Sequence, residues 1–335
     1  MSEPVERLGL SREWQTWVTQ NALEGAPPQA LIEALTEEGV PKELAKRDVS
    51  ALISSAPFKE ALRWRREAQR LKLMSRLMQT LRQGHGPEQI ERVSGVGLAE
   101  LQSCYLKLSQ PVILTDVLSE APALTLWSDE YLKRAAGEVV VSCCEGREAA
   151  ESVVQFEPLV TQMSFGELID RVAALKESDD LYLIGNNRFF EREGTAELLE
   201  DLGDELKRYV RGEALDPKRC WLWFGPQGTY TPLHHDRSSV LYAQLRGQKR
   251  FRLLSPFNLS AMMSLKLGTF CEVSVEEAEA ESGERAYDVV LKPGELLVLP
   301  AGWWHEVTSL SASISISVTA LDEPSHFPWY QLARV

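Results

Sequence analysis

Two stretches of this 335-residue chain hold side chains whose types and spacing could do chemistry. The first runs from Trp221 to Leu254, WLWFGPQGTYTPLHHDRSSVLYAQLRGQKRFRLL, with His234, His235 and Asp236 at its centre. The second runs from Leu296 to Ser309, LLVLPAGWWHEVTS, and carries His305. A His-x-Asp pair with a distant His is the ligand set that occupies one face of a non-haem Fe(II) ion and leaves the other positions open. Alternate side chains of a strand point the same way, so His234 and Asp236 can reach one ion while His235 faces away. His235 has no carboxylate two residues on, since position 237 is Arg. A chance HxD in a turn is the competing reading, and it is weighed down by His305 and by a lysine further along.

That lysine is Lys249. Residues 247 to 254, GQKRFRLL, read as a strand after a turn at Arg246-Gly247, which puts Lys249, Phe251 and Leu253 on one face and Arg250 and Arg252 on the other. An ammonium on an apolar face is costly unless it meets an anion. A bound dicarboxylate would supply one; a lysine snorkelling at the strand's edge is the alternative.

The run WFGPQGTYTPLHHD, followed by an apolar strand and RGQKRFRLLSP, resembles the Jumonji-C branch of the Fe(II)/2-oxoglutarate oxygenases, the cupin-like protein hydroxylases. KPGELLVLPAGWWHEV with ISISV continues the likeness downstream, and SQPVILTDVL with LWSDEYL opens it upstream, so that it covers Gln110 to Leu321. The resemblance implies iron bound by His234, Asp236 and His305, with 2-oxoglutarate and O₂ as co-substrates. It implies that Lys249, Thr231 and Tyr182, the last in LYLIGNN, hold the far carboxylate of 2-oxoglutarate. The chain departs from several relatives at Val240, where they carry Asn. The implied activity is hydroxylation of a C–H bond on a protein side chain. A small molecule or a tRNA base is an alternative substrate, and a catalytically silent metal-binding cupin is the alternative from another class. Demethylation of methyl-lysine uses the same iron chemistry.

The elements around these motifs fall into two parts. Residues 1–108 read as helical, with Pro27-Pro28, Pro41 and Pro57 separating successive apolar stripes. From Lys59 to Arg82 the longest helix holds eight Lys/Arg against Glu60 and Glu67, beside a Leu/Met stripe wide enough to predict burial against neighbouring helices or a second subunit. A homodimer through the N-terminal helices is the expected assembly. Residues 109–335 are strand-rich, and this density fits a double-sheet jelly roll. The expected fold is thus α+β, a double-stranded β-helix of the cupin or Jumonji-C type behind an all-helical N-terminal region. The polar insert from Phe257 to Arg285 is expected over the mouth of the site. On the final strand Ser313, Ser315 and Ser317 share one face and Ile314, Ile316 and Val318 the other. Of Trp303 and Trp304, one is expected in the core and the other at the substrate mouth. Glu306 is expected to point away from the metal.

Composition narrows the classes further. A net charge of −13 argues against a dedicated nucleic-acid binder, so the expected partner is a protein or peptide. Five cysteines without a CxxC pair suit reduced thiols in the cytoplasm. No apolar run reaches the length of a membrane span, and the first residues lack the blocks of a signal peptide.

Overall fold

The computed structural model describes residues 9–85, 89–150, 159–185, 187–267 and 269–321. Contacts divide the chain into two compact units, Met1–Met78 and Gln79–Val335.

The first unit contains α1 (Arg12–Glu24), α2 (Pro28–Glu37), α3 (Lys42–Ser54) and the larger part of α4 (Ala56–His85). Ser11 caps α1 through its hydroxyl, and Pro28 opens α2 at a position where its missing N–H costs nothing. Val18, Leu31, Ile32, Leu35, Ala45 and Val49 form its core, with Trp14 and Trp17 packed alongside. Asp48 is fully buried, and its Oδ2 accepts the N–H groups of Gly9 at 2.6 Å and Leu10 at 2.8 Å. Burial alone would raise its pKa; the bonds from Arg47, Leu10 and Gly9 outweigh burial and hold the carboxyl below its ordinary value. The Leu/Met stripe of α4 is solvent-facing: Leu71, Leu73, Met74 and Leu77 are exposed.

The second unit opens with β1 (Glu91–Val93), parallel to β2 (Val112–Leu114), so the stretch expected to be helical as far as residue 108 contains a strand of the second unit. A hairpin of β3 (Val140–Cys144) and β4 (Val160–Ser164) stands apart. The remaining strands are β5 (Cys220–Gly225), β6 (Tyr230–His235), β7 (Val240–Arg246), β8 (Lys249–Leu254), β9 (Leu265–Leu267), β10 (Phe270–Cys271), β11 (Tyr287–Leu291), β12 (Leu296–Leu299), β13 (Trp304–Ser309) and β14 (Ser313–Val318). With β1 and β2 they form two six-stranded sheets, in the orders β1-β2-β12-β7-β14-β5 and β11-β8-β13-β6-β10-β9. This is the expected double-stranded β-helix behind a helical N-terminal region. The β7–β8 turn needs glycine: Gly247 has φ +69°, and an added Cβ would run into the Ala312 carbonyl.

Side-chain alternation sorts three apolar layers. Leu241, Ala243, Leu245, Ile314, Ile316 and Val318 leave the first sheet outward and pack with Leu132, Phe165 and Leu168 from the helices Asp129–Ala136 and Phe165–Ala174. Val240, Tyr242, Phe251, Leu253, Leu297 and Val307 meet between the sheets. Leu233, Leu254 and Trp304 leave the second sheet outward, under the insert helices Leu259–Met263 and Val275–Ser282. The first sheet is therefore buried on both faces, and its strands read as nearly continuous apolar runs for that reason. Both tryptophans are fully buried, which corrects the expectation that one shapes the substrate mouth. Trp303 packs between the sheets and donates its indole N–H to the Ser109 carbonyl at 3.1 Å, while Trp304 lies in the outer layer.

Because the Asp48 carboxylate answers two backbone N–H groups, Asp48→Ala is expected to destabilise the N-terminal unit by roughly 2 kcal/mol. A carboxyl held low in the folded state stabilises above its unfolded pKa, and that contribution vanishes as pH falls through the folded value. Urea unfolding followed by tryptophan fluorescence should show a gap between wild type and variant at neutral pH that closes below about pH 4.

Candidate metal centre

His234 lies near the end of β6 and His305 near the start of β13, and the antiparallel ladder sets them directly opposite one another. Their ring centroids are 4.0 Å apart. Asp236 follows β6 on the same side as His234, and its Oδ2 is 3.6 Å from His305 Nε2. One ligating atom from each of His234, Asp236 and His305 lies within 4.8 Å of the other two. His235, on the opposite face, sets its ring edge-on to Trp304 at 4.6 Å.

The backbone settles the tautomers. His234 Nδ1 is 2.7 Å from the Pro232 carbonyl, and His305 Nδ1 is 3.0 Å from the Trp303 carbonyl. A carbonyl only accepts, so Nδ1 carries the proton in each ring and Nε2 keeps its lone pair for an ion. His305 is completely buried, and burial, with the neighbouring His234, pushes its pKa down to about 3, so the ring is neutral at physiological pH. Two imidazole nitrogens and one carboxylate on adjoining strand ends are the donor set that suits Fe(II).

Beside the three residues lies a cavity lined by Tyr182, Trp223, Thr231, Tyr242, Lys249, Phe251, Val307 and Ser315, and by His234 itself. Lys249 is 3 % exposed. Its Nζ donates to Tyr182 Oη at 3.1 Å and sits 5.5 Å from the Tyr182 ring centre and 5.6 Å from that of Trp223. Among the described ion pairs none involves Lys249, so the ammonium rests on the Tyr182 phenol oxygen and beside the Trp223 ring. Arg147 also packs against Tyr182: its guanidinium lies 5.5 Å from the ring centre and pairs with Asp179 at 3.1 Å. Gly225 is needed at this point, because a Cβ there would come within 2.8 Å of the Tyr182 ring. Lys249, Thr231 and Tyr182 thus meet around one cavity, although Tyr182 is distant in sequence from the other two.

Three residues of the site carry no role that the motifs assign. Tyr242 donates to Asp236 Oδ2 at 2.8 Å and lies 3.2 Å from His305 Nε2. Burial, then the Asp236 charge, raises its pKa well above the usual phenol value, so it remains a donor. Trp223 walls the cavity and donates to Ser317 at 2.8 Å. Phe270 of the insert pairs with His234 across β10 and β6 and stacks on its ring at 5.0 Å. Alternation on β7 was an available signal for Tyr242, which shares the inward face with Val240 and Gln244. Nothing local in the sequence marks Phe270.

Glu306 points outward as expected. It accepts from Tyr230 Oη at 2.9 Å and pairs with Arg252 at 3.2 Å, and Arg252 also binds Glu276 and Glu279 of the insert. Burial raises the pKa of Glu306, against the pull of Tyr230 and Arg252. No helix among the described residues is long and apolar enough to cross a membrane.

The profile of the cupin-like domain family matches residues 98–320. The chain is 31 % identical over 241 residues to lysine-specific demethylase JMJ30 of Arabidopsis thaliana, a match covering 69 % of this chain and 54 % of that protein. It is 30 % identical to lysine-specific demethylase 8 of Xenopus tropicalis, covering 66 % of this chain and 50 % of the relative. It is 26 % identical to Jumonji C domain-containing protein 5 of Drosophila melanogaster, covering 68 % and 59 %. The matched part spans little more than half the length of these relatives. With the two-sheet fold and the His, Asp, His cluster at its centre, the chain belongs to the cupin-like, Jumonji-C family of Fe(II)- and 2-oxoglutarate-dependent oxygenases.

Proposed function

We propose that this protein is a 2-oxoglutarate-dependent oxygenase that hydroxylates a C–H bond on a protein side chain, with His234, Asp236 and His305 as the iron ligands. The observation that carries this reading is Lys249, a buried ammonium with no carboxylate partner among the described residues, in a cavity that reaches His234. A dicarboxylate fits that vacancy of charge: one end meets Lys249, Tyr182 and Thr231, and the other lies toward the three ligands. When bound, the iron couples oxidative decarboxylation of 2-oxoglutarate by O₂ to hydroxylation of the substrate, releasing succinate and CO₂.

The chain's own residues set up that chemistry. The ammonium of Lys249 neutralises the far carboxylate where water cannot compete, and Tyr182, itself fixed by Arg147, aims the ammonium. Trp223 and Phe251 wall the cavity against solvent. Asp236 keeps 34 % side-chain exposure, whereas His305 is buried, so a substrate side chain reaches the centre from the Asp236 side. The names of the relatives favour a second form of this reading, in which the attacked C–H belongs to an N-methyl group of lysine. We also propose a homodimer through the N-terminal helices, in which a partner copy covers the exposed Leu71, Leu73, Met74 and Leu77 of α4.

Three outcomes test these assignments. His234→Ala, Asp236→Ala and His305→Ala should each abolish Fe(II)-dependent succinate formation, while His235→Ala keeps its metal; metal retained in His234→Ala and lost in His235→Ala would reverse the register. In the same assays, the peptide mass separates a gained oxygen from a lost methylene. Lys249→Ala removes a buried charge partner, a change that costs about 2–5 kcal/mol. Its 2-oxoglutarate affinity should therefore fall by one to several orders of magnitude with iron still bound, and an unchanged titration contradicts the assignment. Light scattering should give twice the chain mass at micromolar concentration and the single-chain mass once Leu73 and Leu77 are both changed to Glu; a wild-type monomer refutes the dimer.

A further inference from the structure

Tyr242 crosses the interior from the sheet opposite the metal ligands. It stands on β7 in the first sheet, while His234 and His305 belong to β6 and β13 in the second. Its ring packs on Phe251 at 5.4 Å, and its hydroxyl emerges between Asp236 and His305 at the cavity wall. Most of its surroundings between the sheets are apolar, so the hydroxyl is placed there by one specific contact rather than by solvent.

A phenol has one proton to give. Two acceptors lie within reach: the Asp236 oxygen Oδ2 at 2.8 Å and His305 Nε2 at 3.2 Å. The shorter contact is the one to Asp236, and the hydroxyl donates there. The lone pair of His305 Nε2 is then left uncommitted. Asp236 is the ligand that most needs a restraint. It lies beyond the last residue of β6, keeps a third of its side-chain surface, and can turn about its side-chain torsions, whereas both histidines are pinned through Nδ1 to backbone carbonyls.

We propose that Tyr242 is a positioning residue that fixes the orientation of the Asp236 carboxylate by holding Oδ2, the oxygen 3.6 Å from His305 Nε2, in a hydrogen bond, and so keeps the carboxylate from turning to offer both oxygens to one ion. This inference rests on the metal-ligand assignment above and deepens it. A carboxylate free to turn can give both oxygens to one ion and fill a second coordination position. The co-substrate needs two positions and O₂ a third, so a two-oxygen Asp236 would obstruct the co-substrate. Lys249 secures the far end of 2-oxoglutarate; Tyr242 keeps room for the near end.

The test is Tyr242→Phe in the full chain, which removes one oxygen atom and keeps the ring against Phe251. Matching circular dichroism and melting of the metal-free proteins establishes that the variant is folded. Loss of a hydrogen-bonding partner behind a metal ligand typically lowers metal affinity about 10–100-fold, and a loss of that size is expected for Fe(II). At saturating Co(II), the visible absorption should change in intensity, reporting a changed ligand number that general loosening would not produce. In anaerobic Fe(II)-loaded protein, the visible absorption that develops with 2-oxoglutarate should require more co-substrate than in wild type. Lys249→Ala should shift only this last titration. An unchanged Co(II) spectrum with Fe(II) affinity within about twofold of wild type overturns the positioning role while leaving the ligand assignment intact. A wild-type protein that takes up neither metal overturns both.

Discussion

The site depends on a positive charge, Lys249, that the fold buries with no carboxylate partner among the described residues. An ammonium placed between two sheets pays a desolvation cost that hydrophobic packing cannot return. Lys249 meets part of it with the Tyr182 phenol oxygen and the Trp223 ring, which stabilise a cation without extinguishing its field. Much of the surrounding architecture serves that arrangement. Gly225 makes room for the Tyr182 ring, Arg147, itself paired with Asp179, packs against that ring, and Trp223 is oriented by Ser317. The interior thereby holds a buried cation in a cavity that reaches His234.

The second constraint is register. His234 and His305 face each other because β6 and β13 pair antiparallel with these residues opposite, and an irregularity in β13 between His305 and Val307 then resets the pairing so that Val307 meets Thr231. A slip of one residue would bring His235 to the inner face and send His305 out. The outer layer guards against such a slip. Trp304 and His235 interlock there beneath the insert, and Arg252 ties Glu306 of β13 to two glutamates of the insert helix. Residues that never approach the cavity thus decide which residues do.

What the sequence made legible follows from how locally each feature is encoded. The HxD spacing, the lysine on the apolar face of GQKRFRLL and the outward Glu306 all derive from strand alternation within one element, and the structure agrees with each. Tyr182 was reached through family likeness, since no local rule joins an isolated bridge residue to a lysine 67 positions away. Tyr242 was missed because β7 is buried on both faces, and a Tyr among apolar neighbours reads as packing until its hydroxyl is seen to have a partner. The same two-sided burial hid the fate of Trp304: a second apolar layer under the insert was not evident from an acidic segment. The strand Glu91–Val93 was overlooked because three residues carry too little periodicity to announce themselves.

The last strand offers a different perspective, that of evolutionary adjustment. On β14 the branched aliphatics Ile314, Ile316 and Val318 anchor the helical layer, and Ser313, Ser315 and Ser317 face the space between the sheets. Ser315 touches the cavity, Ser317 orients a wall tryptophan and Ser313 joins the Ser309 hydroxyl. Structural support and pocket shape are therefore written in alternating letters of a single strand. Exchange among small residues at the odd positions can widen, narrow or re-polarise the chamber while the even positions keep the scaffold, so lineages can retune one property without renegotiating the other.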